Sequence, residues 1–212
     1  MQRVTEDRSV TLFNEKYKEY YHSIHGALQE AFEKYIKPCR IDEIAKTGKI
    51  RILDVCFGLG YTSAAAIEAA LESNPDCEIE IVGLEIDAGI FEEMKKVNPQ
   101  LKYYDVIRGD KTDKRIKLKI IVADARVSIK ELKEPFDAVF LIPFSIAVCP
   151  ELWTVEFLSD IKKAMKPEAI LATYSCARKV RENLKEAGFI IKDGPAVGRR
   201  GPSTIANIKE TV

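Results

Sequence analysis

The stretch KIRILDVCFGLGYT, residues 49–62, combines a short β-branched run with two closely spaced glycines. The run Lys49–Val55 predicts a buried strand. The glycines that follow, Gly58 and Gly60, predict a tight turn in which the backbone can approach a ligand without a Cβ clash. The alanine-rich segment Thr62–Glu72 then predicts a helix. This order of strand, turn and helix is typical of open α/β sheets, which bind ligands at the carboxyl ends of their strands.

Strand-like and helix-like segments alternate along the rest of the chain. The strands are predicted at residues 49–55, 78–84, 117–122, 136–141, 169–174, 189–192 and 204–209. The helices are predicted at residues 62–72, 88–97, 125–132, 151–165 and 177–187. Strands separated by helices form parallel sheets with both faces covered, whereas the last two strands have no helix between them and should pair antiparallel. The sequence therefore predicts an α/β fold with a mostly parallel seven-stranded sheet and a C-terminal antiparallel hairpin.

The first 48 residues have a different character. The segment Ile24–Ile36 predicts an amphipathic helix, and the polar stretch before it is rich in tyrosine. We expect residues 1–48 to form an N-terminal extension that packs near one end of the sheet, on the side where a substrate would enter. Residues 49–212 then form the sheet domain.

Composition excludes several classes of protein. Five cysteines without a C-x-x-C pair argue against a disulfide framework or a structural zinc site, and favour a reducing cytoplasm. No apolar run reaches the roughly 18 residues of a membrane-spanning helix, and the N-terminus does not resemble a signal peptide. The 33 basic and 33 acidic residues balance, but unevenly: the net charge is +1 over residues 1–50, −7 over 51–160 and +6 over 161–212. The basic C-terminal segment can still present a local positive face.

Acidic residues follow the next two predicted strands. Glu85 ends the second strand, where a carboxylate can accept hydrogen bonds from both hydroxyls of a ribose. Asp124 and Ala125 end the third strand, and an acid there commonly faces an adenine amino group in methyltransferase-type sheets. The pattern fits either a dinucleotide or S-adenosylmethionine. The third glycine of the dinucleotide fingerprint is replaced by Ser63, and the terminal hairpin favours the methyltransferase sheet. The structural alternative is a plain tight turn with Glu85 as a surface charge.

Segments in order along nearly the whole chain resemble the MnmC-type tRNA methyltransferases. They are TEDRSVTL (5–12), YYHSIHGALQE (20–30), CFGLG (56–60), PELWT (150–154), LATYS (171–175), VRENLKEAGF (180–189) and GRR (198–200). The resemblance implies a Rossmann-like class I fold and N-methylation, by S-adenosylmethionine, of the aminomethyl group on a modified wobble uridine of tRNA. Some family members are fused to a flavin-dependent oxidase, and this chain is expected to be the form without that domain.

The resemblance and the motif positions together give the candidate site residues. The expected cofactor-binding residues are Asp54, Phe57, Gly58, Gly60, Glu85, Asp124 and Ala125. The expected catalytic residues are Tyr21, Pro143 and Phe144, and the expected substrate-binding residues are Tyr20, His22, Ser23, Trp153, Arg199 and Arg200. Trp153 would stack on a base or lie in the core, and the two arginines would contact tRNA phosphates. No metal is expected.

The sequence departs from the family at the loop after the fourth strand. Ile142 stands where the family has an acid, and Ile146–Cys149 is apolar where the family has lysines; Arg8 also replaces a glycine. Loss of a positioned acid costs about 10²–10⁴ in rate, although backbone carbonyls at 141–143 can still orient an N–H. The alternatives are therefore a cofactor-binding protein with lost or altered activity, or a small-amine methyltransferase. The apolar loop predicts burial against the extension, a dimer contact or a less polar substrate.

Overall fold

The structure, a computed structural model, describes residues 1–198 and 201–209. This part of the chain contains a seven-stranded sheet and a three-stranded sheet. The N-terminal region contains β1 (Gln2–Val4), β2 (Val10–Asn14), β3 (Glu19–Tyr20), α1 (Ala27–Ala31), which continues as a π-helical turn (Phe32–Ile36), and α2 (Ile41–Ala45). The sheet region continues with β4 (Lys49–Val55), α3 (Tyr61–Ser73), β5 (Glu78–Glu85), α4 (Ile90–Met94), α5 (Tyr104–Ile107), β6 (Ile116–Val122) and α6 (Ala125–Ser128). It ends with β7 (Phe136–Leu141), α7 (Val155–Lys163), β8 (Met165–Thr173), α8 (Arg178–Glu186), β9 (Ile190–Asp193) and β10 (Thr204–Asn207).

The large sheet has the strand order β6-β5-β4-β7-β8-β10-β9. Its first five strands are parallel, and β10 runs antiparallel to both β8 and β9. The predicted fold class, with five parallel strands and a C-terminal antiparallel hairpin, is confirmed. The order reverses between β4 and β7, the place where sheets of this kind bind ligands.

Two apolar layers cover the sheet because successive side chains of a buried strand point to opposite faces. Ile52 of β4 packs in the layer under α1–α5, and its neighbour Leu53 packs in the layer under α6–α8. The boundaries of β4 and β7 agree with the sequence prediction because both strands consist mainly of apolar residues that are buried on both faces.

Several helix boundaries differ from the prediction. The segment predicted as one helix over 151–165 is a 3₁₀ turn, Pro150–Trp153, followed by α7. Thr154 separates the two because its side chain caps α7, accepting from the backbone N–H of Phe157 at 3.3 Å. The helix predicted from Ile24 begins only at Ala27, and the three-stranded sheet before it was not predicted.

An acidic turn fixes the small sheet to α1. Oδ1 of Asp7 accepts hydrogen bonds from Thr5 and Ser9, and its Oδ2 accepts from the backbone N–H of Gln29 at 2.9 Å. A Cβ at Gly26 would lie 2.7 Å from that Oδ2. The Thr-x-Asp-x-Ser and Ser-x-x-Gly-Ala motifs therefore form one docking contact between the N-terminal turn and α1.

Within the described residues, no helix has the length and apolar character to cross a membrane.

Candidate active site

Three adjoining cavities lie at the carboxyl ends of the parallel strands. The central cavity, about 650 Å³, is lined by residues that include Tyr21, His22, Phe57, Gly58, Glu85 and Phe144. The β6-side cavity, about 410 Å³, shares Glu85 with it and reaches Asp124 and Ala125. The β3-side cavity, about 500 Å³, shares Tyr21, His22 and Phe144 with the central cavity and reaches Glu19, Tyr20, Ser23 and Pro143. The site thus extends from β6 across β4 to the N-terminal sheet.

Glu85 is held rigidly at the end of β5. Its Oε2 accepts the backbone N–H of Gly58 at 2.9 Å, and its Oε1 accepts those of Ile86 and Asp87 at 2.8 and 2.9 Å. Burial raises the pKa of Glu85, and the three backbone donors oppose that shift. A carboxylate has about four lone-pair positions, so capacity remains on Oε2 for a hydroxyl donor in the central cavity.

The turn after β4 is built on residues with positive φ. Cys56 (φ 65°) and Gly58 (φ 55°) both line the central cavity. Gly60 (φ 73°) lines none of the three cavities. It is closely surrounded, since a Cβ there would lie 2.5 Å from Cγ2 of Ile107 and 2.9 Å from the ring of Phe57. The structure therefore shows a packing reason for Gly60, and its expected close approach to a cofactor stays a prediction.

Asp54 lies beneath the turn and lines none of the cavities. Its Oδ2 accepts from Oγ of Ser63 at 2.7 Å, which ties β4 to the first turn of α3, while its buried Oδ1 has no hydrogen-bond partner among the described residues. Burial raises the pKa of Asp54 to about 7, and the hydrogen bond from Ser63 opposes the shift. Asp54 is thus a buried acid poised near neutral pH.

Asp124 forms a close ion pair with Arg126 in the β6-side cavity. Its carboxylate accepts from the backbone N–H of Arg126 at 2.9 Å and from the guanidinium at 2.6–3.1 Å. These contacts lower the pKa of Asp124, with the side-chain hydrogen bond contributing most. A ligand amino group that contacts this carboxylate must therefore compete with an exposed arginine.

Aromatic side chains form the wall between the central and β3-side cavities. Phe144 stacks on Tyr17 (centroids 4.8 Å apart) and lies tilted against Tyr21 at 5.5 Å. The Tyr21 hydroxyl accepts from Nδ2 of Asn14 at 2.8 Å, and burial raises its pKa to about 12. Tyr21 therefore keeps its hydroxyl proton at neutral pH.

His22 completes this wall. Its ring stacks on Tyr61 with centroids 4.6 Å apart, and burial lowers its pKa to about 4, so the imidazole is neutral at physiological pH. Its buried Nδ1 has no hydrogen-bond partner in the part of the chain that the structure describes.

The comparisons with known proteins agree with this architecture. A family model described as S-adenosyl-L-methionine-dependent methyltransferase matches residues 90–209. The solved structure of MNMC2 from Aquifex aeolicus is 36% identical, with a TM-score of 0.89, and the match covers 100% of this chain and 71% of that one. The chain belongs to the MnmC-type S-adenosylmethionine-dependent methyltransferases. The family prediction and the predicted cofactor, S-adenosylmethionine, are confirmed.

The chain spans 58% and 29% of the lengths of two curated relatives that it matches. An uncharacterized protein of Methanocaldococcus jannaschii is 32% identical over 209 residues, and the match covers 95% of this chain and 58% of that protein. The tRNA 5-methylaminomethyl-2-thiouridine biosynthesis bifunctional protein MnmC of Campylobacter hominis is 28% identical over 198 residues, and the match covers 87% of this chain and 29% of that protein. The solved structure of TomG from Streptomyces achromogenes shares the fold. It is 15% identical, with a TM-score of 0.52, and the match covers 84% of this chain and 85% of TomG.

The residues at the cleft fit this cofactor. The central and β6-side cavities meet at Glu85, whose remaining acceptor capacity suits a ribose. The backbone approaches closely at Gly58, where a Cβ would lie 3.3 Å from the ring of Tyr21. Most residues expected to bind cofactor or acceptor therefore line one continuous cleft in this methyltransferase.

Trp153 is the clearest correction to the expected substrate-binding residues. It is fully buried (0% exposed), and its indole Nε1 donates to the carbonyl of Phe144 at 2.9 Å. Its ring therefore has no free face for a base, and the core alternative holds. Arg199 and Arg200 lie outside the described residues.

The apolar loop of the methyltransferase turns inward. Ile146 packs on the layer under α6–α8, Cys149 is buried and lines the central cavity, and only Ala147 and Val148 are exposed. The dimer contact suggested for Ile146–Cys149 stays a prediction.

Sequence reasoning missed several residues of the cleft, among them Tyr17, Glu19 and Ile86. Tyr17 and Glu19 come from the unpredicted β2–β3 hairpin, and Ile86 follows Glu85 directly. For Ile86 the available signal was its position, because residues just past the carboxyl end of a parallel strand lie at the edge of the sheet where ligands bind. No local signal marked Glu19.

Proposed function

We propose that this methyltransferase acts on the aminomethyl group of a modified wobble uridine in tRNA. The observation that carries the proposal is the convergence of Tyr21, His22, Pro143 and Phe144 on one cavity beside the proposed cofactor cleft. These are the residues that the tRNA-methyltransferase motifs single out. The name of the Campylobacter hominis relative, which assigns it to tRNA 5-methylaminomethyl-2-thiouridine biosynthesis, supports the same substrate.

The cofactor supplies an electrophilic methyl group: the acceptor nitrogen forms a bond to it while the methyl–sulfur bond breaks, leaving the electron pair on sulfur. The chain's task is alignment of an uncharged amine. We propose that Glu85 holds the ribose, that Phe57 and Gly58 line the methionine part, and that Asp124 and Ala125 lie at the adenine. Asp54 would support the turn from beneath.

The acceptor would enter through the β3-side cavity. Tyr20 and Ser23 line this cavity but not the central one, whereas Tyr21 and Phe144 line both. The Pro143 carbonyl accepts the Tyr174 hydroxyl at 2.9 Å, which fixes the loop that carries Phe144. We therefore propose residues 1–48 as the substrate-side extension and residues 49–212 as the methyltransferase domain.

The basic C-terminal segment supports a nucleic-acid substrate. Gly198 lies against the N-terminal extension, because a Cβ there would lie 3.0 Å from Oγ of Ser23 and 3.2 Å from Cβ of His25. Arg199 and Arg200 follow directly in sequence. We propose that they contact tRNA phosphates near the cavity, and that the protein acts in the cytoplasm, where tRNA is modified.

A methylation assay with labelled cofactor tests this function. The substrates are tRNA carrying the aminomethyl uridine, the same tRNA already methylated, and a panel of small aliphatic amines. We expect label only in the first tRNA and, after digestion, only in the wobble nucleoside. Transfer to small amines alone would establish the alternative substrate class.

A second candidate function is cofactor binding without tRNA methylation, which is favoured by the apolar Ile142 in the acceptor wall. In that case the same assay would show no transfer to any substrate while the protein still binds S-adenosylhomocysteine.

A further inference from the structure

The loop after β7 provides no carboxylate to the acceptor cavity. Its residues 142–150 read IPFSIAVCP, and Ile142 lines both the central and the β3-side cavity. Nitrogen becomes positively charged as it takes a methyl group, so an uncharged apolar wall offers no electrostatic stabilisation to this transition state. A charge must come from another element if the site favours an amine.

Glu19 of β3 lines the same cavity and contacts the loop. It is half-buried, and its carboxylate accepts the backbone N–H of Ser145 at 3.0 Å and the Ser145 hydroxyl. These two bonds leave further lone pairs on both oxygens. Glu19 has no cationic partner among the residues that the structure describes, so its negative charge is not neutralised.

Glu30, the other acid of this cavity, is already neutralised. Its Oε1 pairs with Lys34 at 2.8 Å, and both side chains are buried (12% and 3% exposed). Its Oε2 accepts the backbone N–H of Ser23 at 2.7 Å. A buried, paired carboxylate of this kind has a structural role, which leaves Glu19 as the acid available to a ligand.

His22 independently indicates that a polar group of a ligand belongs here. It lines the same cavity, and its buried Nδ1 lacks a partner in the described chain. The ring is neutral at physiological pH, so one ring nitrogen accepts a hydrogen bond. An amine offers donors to both His22 and Glu19.

We propose that Glu19 is the carboxylate that binds the acceptor amine and stabilises the positive charge that develops on its nitrogen. The acceptor class is a primary aliphatic amine, bound first as its ammonium. The ammonium loses one proton to water at the cavity opening, and Glu19 and His22 orient the remaining N–H groups so that the lone pair faces the central cavity. This inference rests on the proposed amine methylation.

Substitution of Glu19 tests the inference. We expect Glu19→Gln to lower kcat on tRNA by about 10²–10³, with KM little changed because phosphate contacts dominate tRNA affinity. S-adenosylhomocysteine affinity and melting temperature should stay near wild type. Ser145→Ala is the matched control: it removes the hydroxyl contact to Glu19, keeps the backbone N–H contact and the carboxylate, and should cost less than tenfold. An equal loss in both variants, or full activity of Glu19→Gln, would overturn the inference.

Returning the acid to the loop gives a sharper test. In the double variant Glu19→Gln/Ile142→Asp the new carboxylate faces the same cavity, and we expect at least a tenfold recovery over Glu19→Gln alone. A purely structural Glu19 would not be replaced by a carboxylate at a different position of the cavity wall, so absence of recovery would contradict its chemical role. A wild-type protein that binds S-adenosylhomocysteine but methylates no amine overturns the proposed function and this inference together, whereas an active wild type with an equally active Glu19→Gln overturns only the inference.

Discussion

Asp54 and Glu85 are both buried acids at the ends of neighbouring strands, but their surroundings differ. Glu85 accepts three backbone N–H groups, while Asp54 accepts one hydroxyl and keeps a buried oxygen without a partner among the described residues. A buried carboxylate with few donors holds its proton to higher pH. Glu85 is therefore suited to ligand binding, and Asp54 makes stability depend on pH.

The Asp54 prediction concerns that dependence. Its folded-state pKa of about 7 lies above the ordinary value of 3.8, so the folded protein binds more protons between these two pH values and its stability falls as pH rises from about 4 to 7. Asp54→Asn cannot ionise and should escape this loss. We expect the melting temperature of the variant, relative to wild type and without cofactor, to rise steadily from pH 5 to pH 8. If the melting temperatures of Asp54→Asn and wild type change with pH in parallel, the prediction is contradicted.

A second prediction follows from the buried indole of Trp153. Trp153→Phe removes the donor to the Phe144 carbonyl, and an unsatisfied buried acceptor costs about 1–3 kcal/mol of unfolding free energy. Denaturant unfolding should show this loss, while tRNA affinity measured below the transition stays within twofold of wild type. Weaker tRNA binding at unchanged stability would instead support stacking on a base.

Among the elements, the sheet strands were the easiest to predict. β4 and β7 are rich in β-branched, aromatic and other apolar residues, so their boundaries follow from residue type. The hairpin of β2 and β3 was missed because strands of five and two residues with mixed burial give no strict alternation. Glu19 and Tyr17 were missed with it, since their place in the site depends on tertiary packing. The turn after β4 was predicted, but the packing reason for Gly60 depends on the distant Ile107.

The N-terminal turn yields a prediction about Arg8. This residue has φ 66°, a left-handed conformation that costs a non-glycine residue about 1–2 kcal/mol, partly offset by the unfolded-state entropy of glycine. We expect Arg8→Gly to raise the unfolding free energy by about 0.5–1 kcal/mol, measured by denaturant unfolding. Arg8→Ala keeps the Cβ and should show no gain; equal gains in both variants would assign the effect to the lost charge.

Across the whole molecule, the zero net charge conceals an acidic centre and a basic C-terminal segment. The acidic centre includes the cleft residues Glu85 and Asp124. The basic segment, residues 161–212, includes Gly198. Gly198 lies beside Ser23, a residue that lines the β3-side cavity. This division suits a protein that would bind a nucleoside cofactor at one end of its cleft and a polyanion at the other.

Salt dependence tests the basic end. Each lost phosphate contact should lower the slope of log K against log salt concentration by about 0.7–0.9. Arg199→Ala/Arg200→Ala should therefore weaken tRNA binding and reduce the slope by roughly 1.5, measured by filter binding at several salt concentrations. The matched control, Lys117→Ala/Lys119→Ala on the edge strand β6, removes the same charge at the far side of the sheet and should leave the slope unchanged. Equal reductions of the slope in both double variants would indicate a diffuse electrostatic attraction of tRNA to the protein and would contradict specific phosphate contacts by Arg199 and Arg200.

The central claim, that the cleft at the strand ends holds the cofactor through Glu85, is tested most directly by calorimetric titration with S-adenosylhomocysteine. We predict one site per chain in the wild type and a tenfold to hundredfold weaker site in Glu85→Gln, since about 1.5–3 kcal/mol is lost with a hydrogen bond to a charged group. Glu78→Gln, an exposed position at the other end of β5, should bind like wild type. No binding by the wild type, or equal affinity of Glu85→Gln and wild type, would contradict the claim.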